Sequence, residues 1–271
     1  MYSVFRLALV LGTMTAYGAA APQPLRVCAD SNNLPYSNDR QEGFENKLAE
    51  MIAQDLDRPL QYFWWPHSPR FAEKTFKAGA CDVIMEVPST YDLALPTHPY
   101  YSSSYVFVTR KDRHIGLQNL DDPFLRQARI GLHVVGDDGA FIPPAQELAE
   151  RGIIRNVVGY NIFGNFDKPN PPAQLIQAVA RGDIDVAIAW GPLAGYFAKS
   201  SEVPLEVQPV CPSKTRSSLP LVFQMSMGVR RGEGELKQQL ESEISRRQVE
   251  IRSVLQSYGI PLLDSSARSC Q

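Results

Sequence analysis

The chain has 271 residues, with 27 Lys and Arg against 29 Asp and Glu and a formal charge of −2, so nothing in its charge favours nucleic acid or an anionic membrane. That length suits one large or two modest domains with a real core. Its 21 prolines among many aromatics indicate a loop-rich globular protein rather than a disordered one.

Arg6, the apolar run Leu7 to Ala16 and the small residues Gly18-Ala19-Ala20-Ala21 read as a secretory signal cut after Ala20, making residues 1–20 a signal peptide. The run is far shorter than the roughly 20 residues a bilayer requires, so no membrane anchor is expected. Leu25 to Asp30 is a predicted first strand, followed by the turn-rich Ser31-Asn32-Asn33-Leu34-Pro35-Tyr36. Gly43-Phe44 opens a helix with Phe44, Leu48, Met51, Ile52 and Leu56 at helical spacing. Leu60 to Trp65 is a second strand and Phe71 to Lys77 a helix. A strand beginning near Cys81 and a β-rich run over Ser104 to Thr109 follow.

The charged Arg110-Lys111-Asp112-Arg113 suggests a lobe boundary. Beyond it come a strand over Arg129 to Val134, the loop Gly136-Asp137-Asp138-Gly139, a helix over Pro144 to Arg151 and a strand over Asn156 to Tyr160. A loop over Phe163 to Pro172 leads to a helix over Gln174 to Ala180. Val186 to Ala189 is a buried strand whose carboxyl end, Trp190-Gly191-Pro192, starts another helix. Leu219 to Val229 reads as a strand returning between lobes, and Glu235 to Tyr258 as one long helix stopped by Gly259 and Pro261.

Two stretches share one grammar. Ala78-Gly79-Ala80-Cys81-Asp82-Val83 and Arg181-Gly182-Asp183-Ile184-Asp185-Val186 both run helix, Gly, two residues, Asp-Val, buried strand and a loop with Pro. Two such units predict two similar α/β lobes facing each other across a cleft, with ligands at the carboxyl ends of the strands. For an exported chain the four cysteines favour disulfides. Cys28–Cys81, on two strands of one lobe, with Cys211–Cys270 is the preferred pairing of the three possible, against free buried thiols. No Cys-x-x-Cys or His-x-x-x-His spacing exists, so no metal site is expected, and the four histidines read as structural or surface residues.

This order of elements resembles the type II periplasmic solute-binding proteins, which implies an α/β fold of two lobes. Each lobe is then a mostly parallel sheet flanked by helices, joined to the other by two hinge strands. Residues 21–108 with 222–271 form lobe 1, and residues 109–221, including hinge segments, form lobe 2. The amino-acid binders of that superfamily hold a carboxylate with an Arg shortly before a Pro-Tyr-Tyr segment. Here Pro88 to Pro96 contains no Arg, and Asp137-Asp138 stand where a hydroxyl-rich anion loop would lie. Binding of a free amino acid is therefore not expected.

A narrower resemblance runs through Arg26 to Asn38, Gly43 to Lys47, Val87 to Ala94, Trp190 to Tyr196 and Tyr258 to Leu263. These motifs are similar to the methanol-oxidation J-type (MxaJ/XoxJ) proteins. That resemblance implies a periplasmic, non-enzymatic accessory factor for a quinoprotein (pyrroloquinoline-quinone-dependent) alcohol dehydrogenase and its cytochrome c, with no cofactor of its own. It would act by protein binding in or near the cleft during activation or maturation. The candidate cleft residues are Tyr36, Trp65, Glu86, Ser89, Tyr91, Asp92, Tyr100, Asp137, Asp138, Phe141, Trp190 and Tyr196. The plainer reading is that several aromatics pack under loops and that Asp137 and Asp138 cap a helix. Two alternatives stand beside this one: a transporter-linked receptor for a small uncharged or aromatic solute, and a dehydratase-like enzyme using Glu86, Asp92 and Asp138.

Overall fold

A computed structural model describes residues 22–68, 70–134, 142–161, 170–213, 219–263 and 270. The signal segment, Asp137, Asp138, Phe141 and most of the loop from Phe163 lie outside the described residues. The elements in order are β1 (Leu25–Ala29), β2 (Asn32–Asn33), β3 (Ser37–Asn38), α1 (Phe44–Asp55), β4 (Leu60–Trp64), β5 (Val83–Pro88), β6 (Leu95–Pro96) and β7 (Tyr101–Arg110). Then come β8 (Ile130–Val134), α2 (Pro143–Glu150), β9 (Val157–Asn161), α3 (Ala173–Arg181), β10 (Val186–Trp190), α4 (Gly191–Lys199) and β11 (Leu205–Pro209). The chain closes with β12 (Val222–Val229), α5 (Gly234–Arg246) and α6 (Gln248–Ser257).

One continuous ten-stranded sheet runs β4-β1-β5-β12-β7-β10-β8-β9, with β11 also on β7 and β6 on β12. Strands β4, β1 and β5 are mutually parallel, as are β10, β8 and β9. Between the two parallel sets lie β12 and β7, antiparallel to their neighbours and to each other. These are the two crossings. Tyr101 belongs to the first core with Leu25, Phe44 and Met225, whereas Phe107, six residues on, is buried with Ile130 and Ile188 in the second. At the start of β12 the same exchange falls between Leu221, just before the strand, and Met225 within it.

The sequence repeat has an atomic counterpart. Asp82 takes the Arg26 guanidinium at 2.5 Å while its main-chain N–H donates to the Arg26 carbonyl at 2.7 Å. Asp185 takes Arg129 at 3.1 Å and donates to the Arg129 carbonyl at 2.9 Å. Each arginine also reaches the carbonyl of the glycine ending the preceding helical segment, Gly79 at 3.1 Å and Gly182 at 2.8 Å. Both glycines sit at positive φ, +73° and +78°, a conformation that strains other residues. Each Arg-Asp pair thus fixes the entry of a central strand against its neighbour, and so fixes where that strand's carboxyl end emerges.

Both expected disulfides are present, Cys28–Cys81 and Cys211–Cys270, each with Cα atoms 5.3 Å apart. The expected helix over Glu235 to Tyr258 is instead two. Arg247 leaves the helical conformation, and Arg246 and Arg247 both reach Asp55 at the end of α1, at 2.9 and 2.7 Å. The segment Phe71 to Lys77 is helical but widened, with a π turn over Glu73–Lys77, and the Thr75 hydroxyl donates to the Phe71 carbonyl at 2.7 Å. Strand β11, absent from the sequence reading, is an edge strand on β7.

Candidate functional site

Between the lobes lies a cleft of about 430 Å³. It opens where the parallel strands end: Ala29 ends β1 and Asp30 follows it, Glu86 to Pro88 close β5, His133 is the last but one residue of β8 and Trp190 closes β10. That is where an open α/β sheet leaves backbone and side chains free for a ligand. Its floor is a triangle of edge-on rings spanning both crossings. Tyr105 of β7, Trp190 of β10 and Phe223 of β12 have centroids 5.5, 5.8 and 6.4 Å apart. Such edge-to-face contacts favour one mutual orientation, so the rings set the shape of the floor.

Of the residues expected at the cleft, Tyr36, Glu86, Tyr91 and Trp190 line it together. Others are placed elsewhere. Trp65 stands beyond the end of β4, 38% exposed. The Ser89 hydroxyl bonds to Ser226 Oγ at 2.7 Å and donates to the Gln224 carbonyl at 3.1 Å, tying the end of β5 to β12. The Asp92 carbonyl accepts from Arg231. Tyr100 lies beneath the lining and donates its hydroxyl to the Met85 carbonyl at 2.9 Å. Tyr196 is on α4 and stacks on Tyr258 at 5.8 Å. Asp137, Asp138 and Phe141 lie outside the described residues.

Asp30, Glu45, Tyr105 and Phe223, not expected there from the sequence, also line the cleft, as do His67 and His133, which the sequence suggests are structural or surface residues. A signal existed for two of them. His133 and Asp30 stand at the carboxyl ends of predicted central strands, the position the fold rule marks.

Charge in the cleft is one-sided. Among the described residues the lining holds three carboxyl groups (Asp30, Glu45 and Glu86) and two histidines, but no Lys or Arg. Asp30 is satisfied by main-chain N–H groups, Asn32 at 2.8 Å and His67 at 2.6 Å. Glu86 accepts from the Tyr101 hydroxyl at 2.5 Å and from the Trp190 indole, yet burial outweighs both and pushes its carboxyl up to about 7. Every influence on Glu45 opposes its charge: burial first, then Glu86 and Asp30, so its carboxyl is raised well above the usual range. On the facing lobe His133 is 6% exposed, and burial holds its imidazole neutral, down at about 4. One ring nitrogen bonds the Pro172 carbonyl, and the other, Nε2, is buried with no hydrogen-bond partner among the described residues.

The back of the molecule is fastened as well. A Cβ at Gly195 of α4 would stand 2.0 Å from the Gly259 carbonyl oxygen, so only glycine permits the segment after α6 to lie on α4. That segment is held by Ser103 Oγ donating to the Pro261 carbonyl at 2.6 Å and by Leu263 N–H donating to the Ser102 carbonyl at 2.9 Å. Lys199 Nζ adds a 2.6 Å bond to the Ser257 carbonyl.

No family model matches the chain. A curated relative decides the matter: Protein MoxJ of Paracoccus denitrificans is 30% identical over 257 residues, 89% of this chain and 90% of that one. The chain belongs to the MoxJ family. Solved structures similar to it carry the same family's names. The periplasmic binding protein XoxJ of Methylobacterium extorquens AM1 is 36% identical, with a TM-score of 0.73 over 89% of this chain and 100% of that one. MxaJ of Methlophaga aminisulfidivorans MPT is 28% identical, with a TM-score of 0.78 over 88% and 100%. A MoxJ-family chain thus has the two-lobed α/β fold of periplasmic binding proteins, and no helix among its described residues is long and apolar enough to cross a membrane.

Proposed function

We propose that the protein is a periplasmic, non-enzymatic accessory factor for a quinoprotein alcohol dehydrogenase, working beside that enzyme and its cytochrome c through binding in or near the cleft. In this reading residues 1–20 are removed on export. Residues 21–108 with 222–271 form the lobe carrying Glu86, and residues 109–221 the lobe carrying His133. The observation that carries it is an interlobe cleft in a MoxJ-family chain whose described lining offers no Lys or Arg to clamp an amino-acid carboxylate. The test is deletion of the gene from a strain that oxidises alcohol through such a dehydrogenase. Lowered dehydrogenase activity or cofactor loading, restored by the intact protein, is expected; full activity and loading without it sinks the proposal.

A transporter-linked solute receptor is the second reading, favoured by a cleft of about 430 Å³, within the size range of small-ligand pockets. Native mass spectrometry of the mature protein taken from its own periplasm separates the two. A complex with a dehydrogenase or cytochrome subunit supports the accessory role, and a stoichiometric small adduct on a monomer with no effect on the dehydrogenase supports the receptor.

A further inference from the structure

The described cleft wall is mostly apolar, and the charged or imidazole side chains set into it are three carboxyls and two histidines. On lobe 1 the Glu86 and Glu45 carboxyls face the same space, with Asp30 also in the lining and no Lys or Arg among the described lining residues to neutralise them. On lobe 2 a second and independent feature points the same way. His133 lines the cleft, is more than nine-tenths buried, and presents an Nε2 that nothing described satisfies. Because its other nitrogen donates to the Pro172 carbonyl, Nε2 is the lone-pair nitrogen, an acceptor awaiting an N–H or O–H. A buried, unsatisfied acceptor is destabilising, and a buried unpaired carboxylate more so. Between the two walls lie Tyr105, Trp190 and Phe223, aromatic rings whose faces attract a desolvated cation.

We propose that the cleft is a binding site for an organic ammonium group, with the cation on Glu86 and Glu45, its carbon skeleton on the aromatic floor and an N–H donor directed to His133 Nε2. The ligand lacks the carboxylate of an amino acid, since the described lining has nothing to hold one. The same ammonium chemistry is supplied by a free alkylamine or by a lysine side chain of a docked protein segment. This goes beyond the accessory role and does not rest on it. A cleft that binds no ammonium leaves the deletion phenotype untouched, and a silent deletion leaves the binding data standing.

Binding releases the proton that the empty carboxyl pair retains. The groups facing Glu86 are Tyr101 on β7, Trp190 on β10, Glu45 on α1, Tyr36 after β2, Tyr100 before β7 and Asp30 after β1. None is cationic, so no other group takes over the charge.

The test is isothermal titration of the mature protein with 2-phenylethylamine, 2-phenylethanol and phenylacetate, which share a skeleton and differ in charge. The amine is expected to bind at least tenfold more tightly than the alcohol, with phenylacetate weaker than both. Its affinity should rise between pH 6 and 7 by up to tenfold and level off above. Glu86→Gln should bring the amine to within about threefold of the alcohol, and Glu45→Gln gives the same readout should the first variant fail to fold. Acetyl-Gly-Lys-Gly-amide, beside its ε-acetylated form, distinguishes the sources. Preference for the lysine peptide over 2-phenylethylamine identifies a protein segment, the reverse a free amine, and both support the proposal. Equal binding of amine and alcohol, an amine advantage that survives both substitutions, or no amine binding at millimolar concentration overturns it.

Discussion

Replacing Glu86 by Gln keeps the shape of the side chain and its acceptor for the Tyr101 hydroxyl while removing the titration. In the folded protein, burial lifts this carboxyl from an ordinary 4.5 to about 7, so the native state retains a proton that the unfolded chain has lost. The stability associated with that proton is fully present below about pH 4.5 and is lost as pH rises through 7. At about 1.4 kcal/mol per pH unit the full shift is worth roughly 3 kcal/mol, and partial access of water to the cleft trims this to about 1–3 kcal/mol. His133 titrates with the opposite sign. Its imidazole is depressed from 6.5 to about 4, so its contribution is present above 6.5 and is lost as pH falls through 4. The Glu86 and His133 slopes therefore offset each other from about pH 4.5 to 6.5, while Glu45, also raised, adds a slope of the same sign as Glu86 that is common to parent and variant. Urea melts of both proteins in small pH steps from 4 to 8 read this directly. The stability of Glu86→Gln relative to the parent should climb by about 1–3 kcal/mol across the window. Two curves that run parallel from pH 4.5 to 7.5 refute a buried, titrating Glu86.

Gly195→Ala places a methyl group 2.0 Å from the Gly259 carbonyl, and overpacking of this kind costs about 1–3 kcal/mol, seen as a midpoint several degrees lower in a thermal melt. An unchanged midpoint would mean that α4 and the following tail do not touch as described. Arg151 is 3% exposed and held by Glu147 at 2.5 Å and Asp121 at 2.9 Å, so Glu147→Ala removes the more buried of its two partners and should cost less than the roughly 3–5 kcal/mol of a fully stranded charge in urea melts. Glu147→Gln with Arg151→Met removes both charges and should cost much less. Replacing Cys28 and Cys81 by Ser opens a link spanning 53 residues and should lower stability by about 2–5 kcal/mol, measured against the parent under non-reducing conditions.

The strands and helices were legible where their pattern is local. Phe44, Leu48 and Ile52 at helical spacing are the buried face of α1, and Val186 to Ala189 is the fully buried β10. The repeat was legible as Gly and Asp-Val, but not the arginines that complete it, because Arg26 and Arg129 stand more than fifty residues from their aspartates. Arg247 breaks the last helix through a partner 192 residues away, Asp55, which no helical periodicity reports. At the cleft, position on a strand was readable and direction was not. Tyr100 and Tyr101 are neighbours, yet each turns to a different partner, Met85 and Glu86, under the lining. Glu45 was invisible as a site residue because a carboxylate in a first helical turn is ordinary for dipole reasons, and only the fold sets it beside Glu86.

The Gly195 contact and the Cys211–Cys270 link bear on the order in which the molecule is completed. Cys270 lies C-terminal to every helix and strand described, while its partner Cys211 follows β11 on the second lobe. The tail must pass over α4, through the gap that Gly195 leaves, after both lobes exist to receive it. In a chain exported amino end first, as proposed above, Cys28 and Cys81 both emerge ahead of the second lobe and can pair within one lobe. The Cys211–Cys270 bond can close only once α5 and α6 have been delivered, which makes the oxidation state of that pair a chemical record of whether assembly has finished.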